Sequence, residues 1–172
     1  MSVYLILTVI GDDRPGLVGE LSSVISAHQG NWLESSMSHL AGKFAGIVRV
    51  DVAEERAAAL QAALAGLSGL KVTAESSTPA VPGQGRRLKL SLVGHDRIGI
   101  IKEVSQVLAR HAVNVEELVT HVSTAPMSAE TLFHADAELL VDHGLDSKEL
   151  TCDLERLSGE LMVDITLDEV AH

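Results

Sequence analysis

The chain has 172 residues, with 24 acidic against 13 basic side chains and a formal net charge of −11 at pH 7. This charge would repel a phosphate backbone, which disfavours direct binding of nucleic acid. The single cysteine, Cys152, excludes an intramolecular disulfide, and the first apolar run, 3–10, is too short for a signal core or a membrane span. We therefore expect a globular cytoplasmic protein, with aliphatic cores because aromatic residues are only 2% of the sequence.

The first half of the sequence carries six predicted elements. An apolar, β-branched run after the N-terminus is typical of a buried strand, and apolar residues at helical spacing then predict a helix that Gly30 ends. A turn signal separates two further strands, and an acidic start precedes an alanine-rich helix. In chain order, the predictions are strand 3–10, helix 17–28, strand 31–40, strand 44–52, helix 54–67 and strand 70–76.

The second half repeats this order after a segment that is typical of a linker. Residues 77–85 hold two of the four prolines and no patterned apolar run. A capping-box pattern at Asp146 opens the last predicted helix. The second-half predictions are strand 88–93, helix 98–111, strand 113–124, strand 130–140, helix 148–157 and strand 160–167. We therefore predict two domains, 1–77 and 87–172, joined by a linker at 78–86.

Each half has the element order βαββαβ, which is typical of the ferredoxin-like arrangement. In that arrangement an antiparallel four-stranded sheet carries two helices on one face. The predicted fold class is therefore α+β, with two such domains in tandem. Because exposed strand edges favour pairing, we also expect the units to pack side by side, within the chain or in a homodimer.

One turn occurs in both halves, at 11–16 (Gly-Asp-Asp-Arg-Pro-Gly) and at 94–99 (Gly-His-Asp-Arg-Ile-Gly), an offset of 94 − 11 = 83 residues. Self-similarity at a fixed offset indicates two copies of one fold. Each turn lies between a predicted strand and a predicted helix, whose unpaired N–H groups and positive dipole end suit a carboxylate or phosphate. The final glycine would let a ligand approach the backbone. The alternative is that each turn is only a well-formed helix start, and the residues alone fit both.

An asparagine begins the strand that follows the first helix of each half. Since we expect this strand to lie beside the first strand, each asparagine should lie near the turn of its own half. Its amide offers both a donor and an acceptor, so it could hold an amino group while the helix start holds a carboxylate; alternatively it only closes the helix–strand turn. The candidate ligand-binding residues are Asp13, Arg14, Pro15, Gly16 and Asn31, and in the second half Asp96, Arg97, Gly99 and Asn114.

The sequence shows no convincing catalytic or metal-binding set. His95 and Asp96 are adjacent in a turn, where neighbouring side chains usually point apart, and the first copy has Asp12 in place of the histidine. His28 and His111 occupy equivalent helix ends, where the dipole favours a histidine without any metal. We therefore expect no enzyme activity, no metal and no cofactor.

The Asp-Arg-Pro-Gly turn after an apolar strand, with an asparagine starting a later strand, resembles the ACT domain, a regulatory module that binds amino acids. Two copies with almost nothing else, and the turn 125–128 in the second, resemble the glycine cleavage system transcriptional repressor family. The resemblance implies a regulator that senses glycine or a related amino acid and acts on a DNA-binding activator through protein contact. The alternatives are an ACT-type sensor that controls an enzyme allosterically, and a third class that comprises a small enzyme or a purely structural interaction module. Ile98 stands where the family pattern prefers proline, which favours the first turn as the ligand-binding one.

Overall fold

The structure, a computed structural model, describes residues 1–78 and 83–170. The chain divides into two units, Met1–Val81 and Pro82–His172. The first unit contains β1 (Ser2–Asp12), α1 (Leu17–Ala27), β2 (Asn31–Leu40), β3 (Lys43–Ala53), α2 (Glu54–Ala65) and β4 (Leu70–Ser77). The second contains β5 (Arg86–His95), α3 (Ile100–Arg110), β6 (Asn114–Thr124), β7 (Thr131–Val141), α4 (Ser147–Leu161) and β8 (Val163–Glu169).

Each unit forms one antiparallel four-stranded sheet, in the order β2-β3-β1-β4 and β6-β7-β5-β8. This confirms the predicted α+β class with two ferredoxin-like units. The expectation that β2 lies beside β1 is wrong, because the β2–β3 hairpin places β3 against β1 and leaves β2 at the sheet edge. The same holds for β6 in the second unit.

The core of each unit lies between the two helices and one face of the sheet. Leu5, Leu7 and Val9 alternate along β1 and are at most 1% exposed, while the residues between them face away from the helices. Leu21 and Ile25 of α1 pack against the same cluster. The second unit repeats this aliphatic packing, as the low aromatic content requires. Among residues 1–78 and 83–170, no helix of either unit covers the opposite face of its own sheet.

The last helix is longer than predicted. α4 runs to Leu161 and β8 begins at Val163, whereas the predicted helix ends at 157 and the strand begins at 160. Leu161 is 8% exposed, so burial of this side chain carries the helix past Gly159. The predicted cap is confirmed, since Oδ1 of Asp146 accepts a hydrogen bond of 2.9 Å from the N–H of Lys148.

The predicted domain boundaries remain a prediction, because residues 79–82 of the predicted linker lie outside the described residues. Arg86, which the prediction includes in the linker, is the first residue of β5. Within residues 1–78 and 83–170, no helix combines the length and apolar character that crossing a membrane requires.

His111 joins the end of α3 to α4 in the second unit. Its Nε2 atom lies 2.7 Å from Oδ2 of Asp153, and the side chains are 13% and 30% exposed. His28, its counterpart in the first unit, instead places Nδ1 2.9 Å from the carbonyl oxygen of Val24 in its own helix. The hydrogen bond from His111 is the main cause that lowers the pKa of Asp153 below its ordinary value of 3.8.

We expect Asp153→Asn to destabilise the chain at pH 7 and to have a diminishing effect in acid. Because the pKa is lower in the folded state, the ionised carboxylate stabilises the fold above its ordinary pKa. That contribution is lost as the pH falls from about 4 through the lowered pKa. Urea denaturation at pH 7 and near pH 3 measures the difference between parent and variant. Glu155→Gln, which removes an exposed carboxylate of the same helix, is the control, and a pH-independent effect of Asp153→Asn would contradict the expectation.

Candidate functional site

The turn between β1 and α1 ends at Gly16, which is the residue preceding the first helical turn. Gly16 has φ +90° and ψ −2°, a left-handed conformation, and its side chain provides no cap. Neither Asp12 nor Asp13 caps the helix with its side chain, and Pro15 lies before the first helical turn. The first N–H groups of α1 have no partner in the preceding turn of a helix, so they are available to an anion.

Asp12 and Asp13 instead bond the turn to the loop of the β2–β3 hairpin. The carboxylate of Asp12 pairs with Lys43, and a hydrogen bond from Lys43 is the main cause that lowers the pKa of Asp12. The N–H of Asp13 donates a hydrogen bond of 2.9 Å to the carbonyl oxygen of Gly42. These contacts fix the position of the helix start relative to the sheet.

Arg14 lies over the start of α1 and binds Glu20 through two parallel hydrogen bonds. The distances are 3.1 Å from Nη1 to Oε1 and 2.7 Å from Nη2 to Oε2. This hydrogen bonding is the first cause that raises the pKa of Arg14 and lowers that of Glu20. A ligand carboxylate at this turn would therefore compete with Glu20 for the Arg14 guanidinium. The backbone N–H groups at the start of α1 are the donors that Glu20 does not occupy.

A cavity of about 200 Å³ opens beside this helix start. Its lining combines the turn with the first turn of α1 and one aromatic ring from β3: Asp13, Arg14, Gly16, Leu17, Val18, Gly19 and Phe44. Small ligand sites typically pair an apolar wall with a few placed polar groups, and this cavity has both. Sequence reasoning missed Phe44, whose place follows from its pairing with Gly11 across β1 and β3.

Asn31 does not lie near the turn of its own unit, which corrects the prediction. It pairs with Asp51 of β3, whereas the turn follows Asp12, which pairs with Lys43. Asp51 and Lys43 are eight residues apart on β3, which is about 27 Å at 3.4 Å per residue. The cause is that α1 carries the chain back along the sheet before β2 begins.

The surroundings of Asn31 form what we call the Asn31 corner: Asn31, Asp51 and Tyr4, which lie side by side on β2, β3 and β1. Oδ1 of Asp51 is buried and has no hydrogen-bond partner among the described residues. Arg49, two residues earlier on β3, stacks over Tyr4, with its Cζ atom 4.6 Å from the ring centroid. Its Nη1 atom donates a hydrogen bond of 2.9 Å to Oε1 of Glu34. Asp51 and Tyr4 are not apparent as site residues from the sequence, since only strand register places them beside Asn31.

The second turn has the same backbone geometry but different partners. Gly99 has φ +95° and precedes α3 without a side-chain cap. The N–H of Asp96 donates a hydrogen bond of 3.0 Å to the carbonyl oxygen of Thr131. Nδ1 of His95 lies 3.2 Å from Oε2 of Glu130. In the first unit, the ion pair between Asp12 and Lys43 takes the place of this contact. Arg97 is exposed, and none of the ion pairs formed by residues 1–78 and 83–170 includes it. Ile98 is fully exposed and lies before α3, although the predicted helix includes it.

Asn114 begins β6 as predicted, also at the far end of the sheet from its own turn. It pairs with Leu140 of β7, which pairs in turn with Arg87 of β5. Arg87 lies 3.4 Å from Glu116. The second unit therefore has a leucine and an arginine where the first has Asp51 and Tyr4.

The described residues contain no group of three or more histidine, cysteine or acidic side chains that could hold a metal ion. What the site offers chemically is hydrogen bonding and charge. The two uncapped helix starts suit a carboxylate, and the Asn31 corner offers oxygen acceptors to a cation.

The fold defines a tandem ferredoxin-like protein, and comparison with known proteins shows which family its first unit matches. The model of the ACT domain family matches residues 3–73. The crystal structure of an unknown protein from Galdieria sulphuraria is 31% identical, covers 99% of this chain and 100% of its own, and superposes with a TM-score of 0.86. Residues 3–73 match the ACT domain family, which confirms for the first unit the resemblance found in the sequence.

Two further relatives are informative in different ways. A protein proposed to be a glycine cleavage system transcriptional repressor shares the fold over 100% of this chain and 99% of its own, with a TM-score of 0.73 and 18% identity. A UPF0237 protein from Methanopyrus kandleri is 43% identical over 49 residues, which are 28% of this chain and 54% of that protein. The match thus spans about half the length of this curated relative.

Proposed function

We propose that the chain is a non-enzymatic regulator that binds a free amino acid, glycine or a related one. The observation that carries the proposal is the pair of uncapped helix starts, each behind a left-handed glycine at an offset of 99 − 16 = 83 residues. A left-handed glycine at the same place in both units favours a shared role for these turns over a chance helix start. The match of residues 3–73 to the ACT domain family supports the same small-molecule-sensing role.

In this proposal the ligand carboxylate binds the N–H groups at the start of α1, and the ligand amino group binds Asn31. One small ligand cannot contact both in a single unit, because they lie about 27 Å apart along β3. The turn and the asparagine must therefore come from different ACT-type units. A second copy of the chain is one source, so a homodimer is part of the proposal.

The β2 edge supports such an assembly. Its unpaired edge is a template for strand pairing. Leu40, at the end of β2, is 78% exposed, pairs with Lys43 and therefore lies level with Asp12 and the turn. A two-fold antiparallel pairing of two β2 strands would bring Asn31 of one copy to the end of the sheet where the other copy has its turn. The same geometry applies to Asn114 and the second turn.

Calorimetric titration of the full chain with the twenty standard amino acids tests the ligand step. We expect binding of one or a few small amino acids, and no binding of acetate or methylamine, which each carry only one of the two charged groups. Binding of no amino acid would contradict the proposal.

We further propose that the regulator acts through contact with a protein partner, as the resemblance to the repressor family suggests, and not through DNA. The net charge of −11 would oppose a nucleic acid most strongly at low salt, where charges are least screened. We therefore expect no shift of a DNA fragment by the chain alone at low salt.

The control for this gel shift is a DNA-binding activator of the glycine cleavage system, tested alone and with the chain. A change in the activator complex on adding the chain would support indirect action, while tight, salt-sensitive binding of the chain alone would contradict it. If the ligand binds but the activator complex does not change, the alternative is favoured, in which the partner is a metabolic enzyme under allosteric control.

A further inference from the structure

We infer that Gly19 determines which amino acids the first unit binds, because it leaves space beside the start of α1 for a small aliphatic ligand. The inference rests on the proposed amino-acid function, of which it uses only the carboxylate at the start of α1. It adds to that function the residue that limits the size of the ligand and the class of its side chain.

Gly19 is a glycine that the first unit does not need for its own fold. It is the third residue of α1 and is exposed. Its φ lies outside the left-handed region, and a Cβ added there would meet no atom of the described residues within 4 Å. Glycine within a helix is less stable than alanine, because it loses more backbone freedom on folding. Since neither conformation nor packing requires this glycine, a contact with a bound ligand is the role that remains.

Gly19 lies where the free donors of the helix start meet the cavity beside it. The N–H of Glu20 donates a hydrogen bond of 2.9 Å to the carbonyl oxygen of Gly16, which closes the first helical turn. The N–H of Gly19 is therefore the last donor of that turn without an intrahelical acceptor. Because Gly19 also lines the cavity of about 200 Å³, a carboxylate bound at the helix start would place the rest of the ligand beside it.

The walls of this cavity define the class of ligand side chain. Val18 and Phe44 are apolar walls, the first exposed and the second half-buried. A charged side chain against them would lose its hydration without gaining a partner, and the guanidinium of Arg14 is already bound by Glu20. The cavity is also smaller than the roughly 300–1,000 Å³ of sites for drug-sized ligands. The ligand is therefore a small aliphatic amino acid, of the size of glycine, alanine or valine.

The second unit has a lysine at the equivalent position. Lys102 is the third residue of α3, at the same offset of 102 − 19 = 83 residues. The aromatic wall recurs, since Phe133 pairs with Gly94 on the neighbouring strand, as Phe44 does with the matching glycine of β1. The long side chain of Lys102 would take the space of an aliphatic group, and its charge would repel the ligand ammonium. We therefore expect this site once per chain.

Calorimetric titration of the full chain and three variants tests this inference, with glycine, alanine, valine and lysine as the probes. Gly19→Ala adds one methyl group, and Gly19→Met adds a longer side chain without charge. Gly159→Met, which adds the same side chain at an exposed and unconstrained glycine of α4, is the matched control.

We expect the parent to bind at least one of the three aliphatic amino acids at one site per chain, and to bind lysine more weakly. Filling the space should weaken the binding of valine by about tenfold or more in Gly19→Ala. The loss for glycine should be smaller, which a structural role alone would not produce. Gly19→Met should lose measurable binding of all three, while Gly159→Met should bind as the parent does.

Thermal melting without ligand separates a loss of binding from a loss of folding. Because alanine and methionine favour a helix over glycine, both Gly19 variants should melt at or above the temperature of the parent. A lower melting temperature of Gly19→Ala would overturn the inference, since the fold itself would then need the glycine. Unchanged affinities in both Gly19 variants, tightest binding of a charged amino acid, or two equivalent sites per chain would also overturn it, and each would leave the proposed function standing. Failure of the parent to bind any of the twenty standard amino acids would overturn both.

Discussion

Gly16→Val is expected to abolish amino-acid binding and to destabilise the first unit. The reason is conformational, because Gly16 has φ +90° and a Cβ added there would meet no atom within 4 Å. The expectation from the sequence, that a side chain would also occupy the ligand's approach to the backbone, remains a prediction. A left-handed conformation costs an L-residue roughly 1–2 kcal/mol, and a β-branched one more. The turn should relax and withdraw the N–H groups that bind the carboxylate.

Chemical denaturation and calorimetry together measure this effect, with Gly159→Ala as the matched control. Gly159 lies in α4, away from the candidate site, with open space around a Cβ and no unusual φ, so alanine should stabilise the helix by about 0.5–1 kcal/mol. A Gly16→Val chain that is as stable as the parent and binds the ligand equally well would show that the left-handed turn is not required.

Asn31→Ala is expected to weaken ligand binding by roughly ten- to a hundredfold without altering the fold. Loss of one hydrogen bond to a charged group costs about 1.5–3 kcal/mol, which corresponds to that range of affinity. Asn31 is exposed at the first position of an edge strand, so its side chain contributes little to the core. Calorimetry gives the affinity, and thermal melting without ligand should give the same transition as the parent.

Asn114→Ala is the matched comparison in the second unit. Because Asn114 lies beside Leu140 and Arg87, we expect this variant to change affinity less than threefold. A larger loss in Asn114→Ala than in Asn31→Ala would assign the ligand to the second unit. If both variants bind as the parent does with unchanged melting, neither asparagine belongs to the site.

The order of elements could be predicted from the sequence because each element carries its own periodicity and the chain repeats it. Leu17, Leu21 and Ile25 at helical spacing are all buried in α1, and the alternation in β1 marks its core face. The ends of elements were less predictable, since they depend on contacts between elements. Ile98 continues the apolar pattern of α3 but lies outside it, because the left-handed Gly99 precedes the helix, which starts at Ile100, two residues later than predicted.

The candidate site was predictable as a set of residues but not as an arrangement. Periodicity along one strand does not reveal which strand is its neighbour, so the sequence could not show that β2 lies at the edge or that Asn31 is remote from Gly16. Asp51 was missed for a related reason. An aspartate that alternates with buried valines has the pattern of an ordinary solvent-facing residue, and only the pairing of β2 with β3 places it beside Asn31.

The central claim is that the start of α1 and the Asn31 corner bind a free amino acid, and titration of the full 15N-labelled chain followed by 1H–15N NMR tests it most directly. The amides of Leu17, Val18 and Gly19 and the side-chain amide of Asn31 are the reporters, and equivalent amides of α3 and Asn114 are the internal comparison. We predict saturable shifts at the first-unit reporters with the tightest-binding amino acid, and none with acetate at the same concentration. Saturable shifts confined to other parts of the chain, or no shifts with any of the twenty amino acids, would contradict the claim.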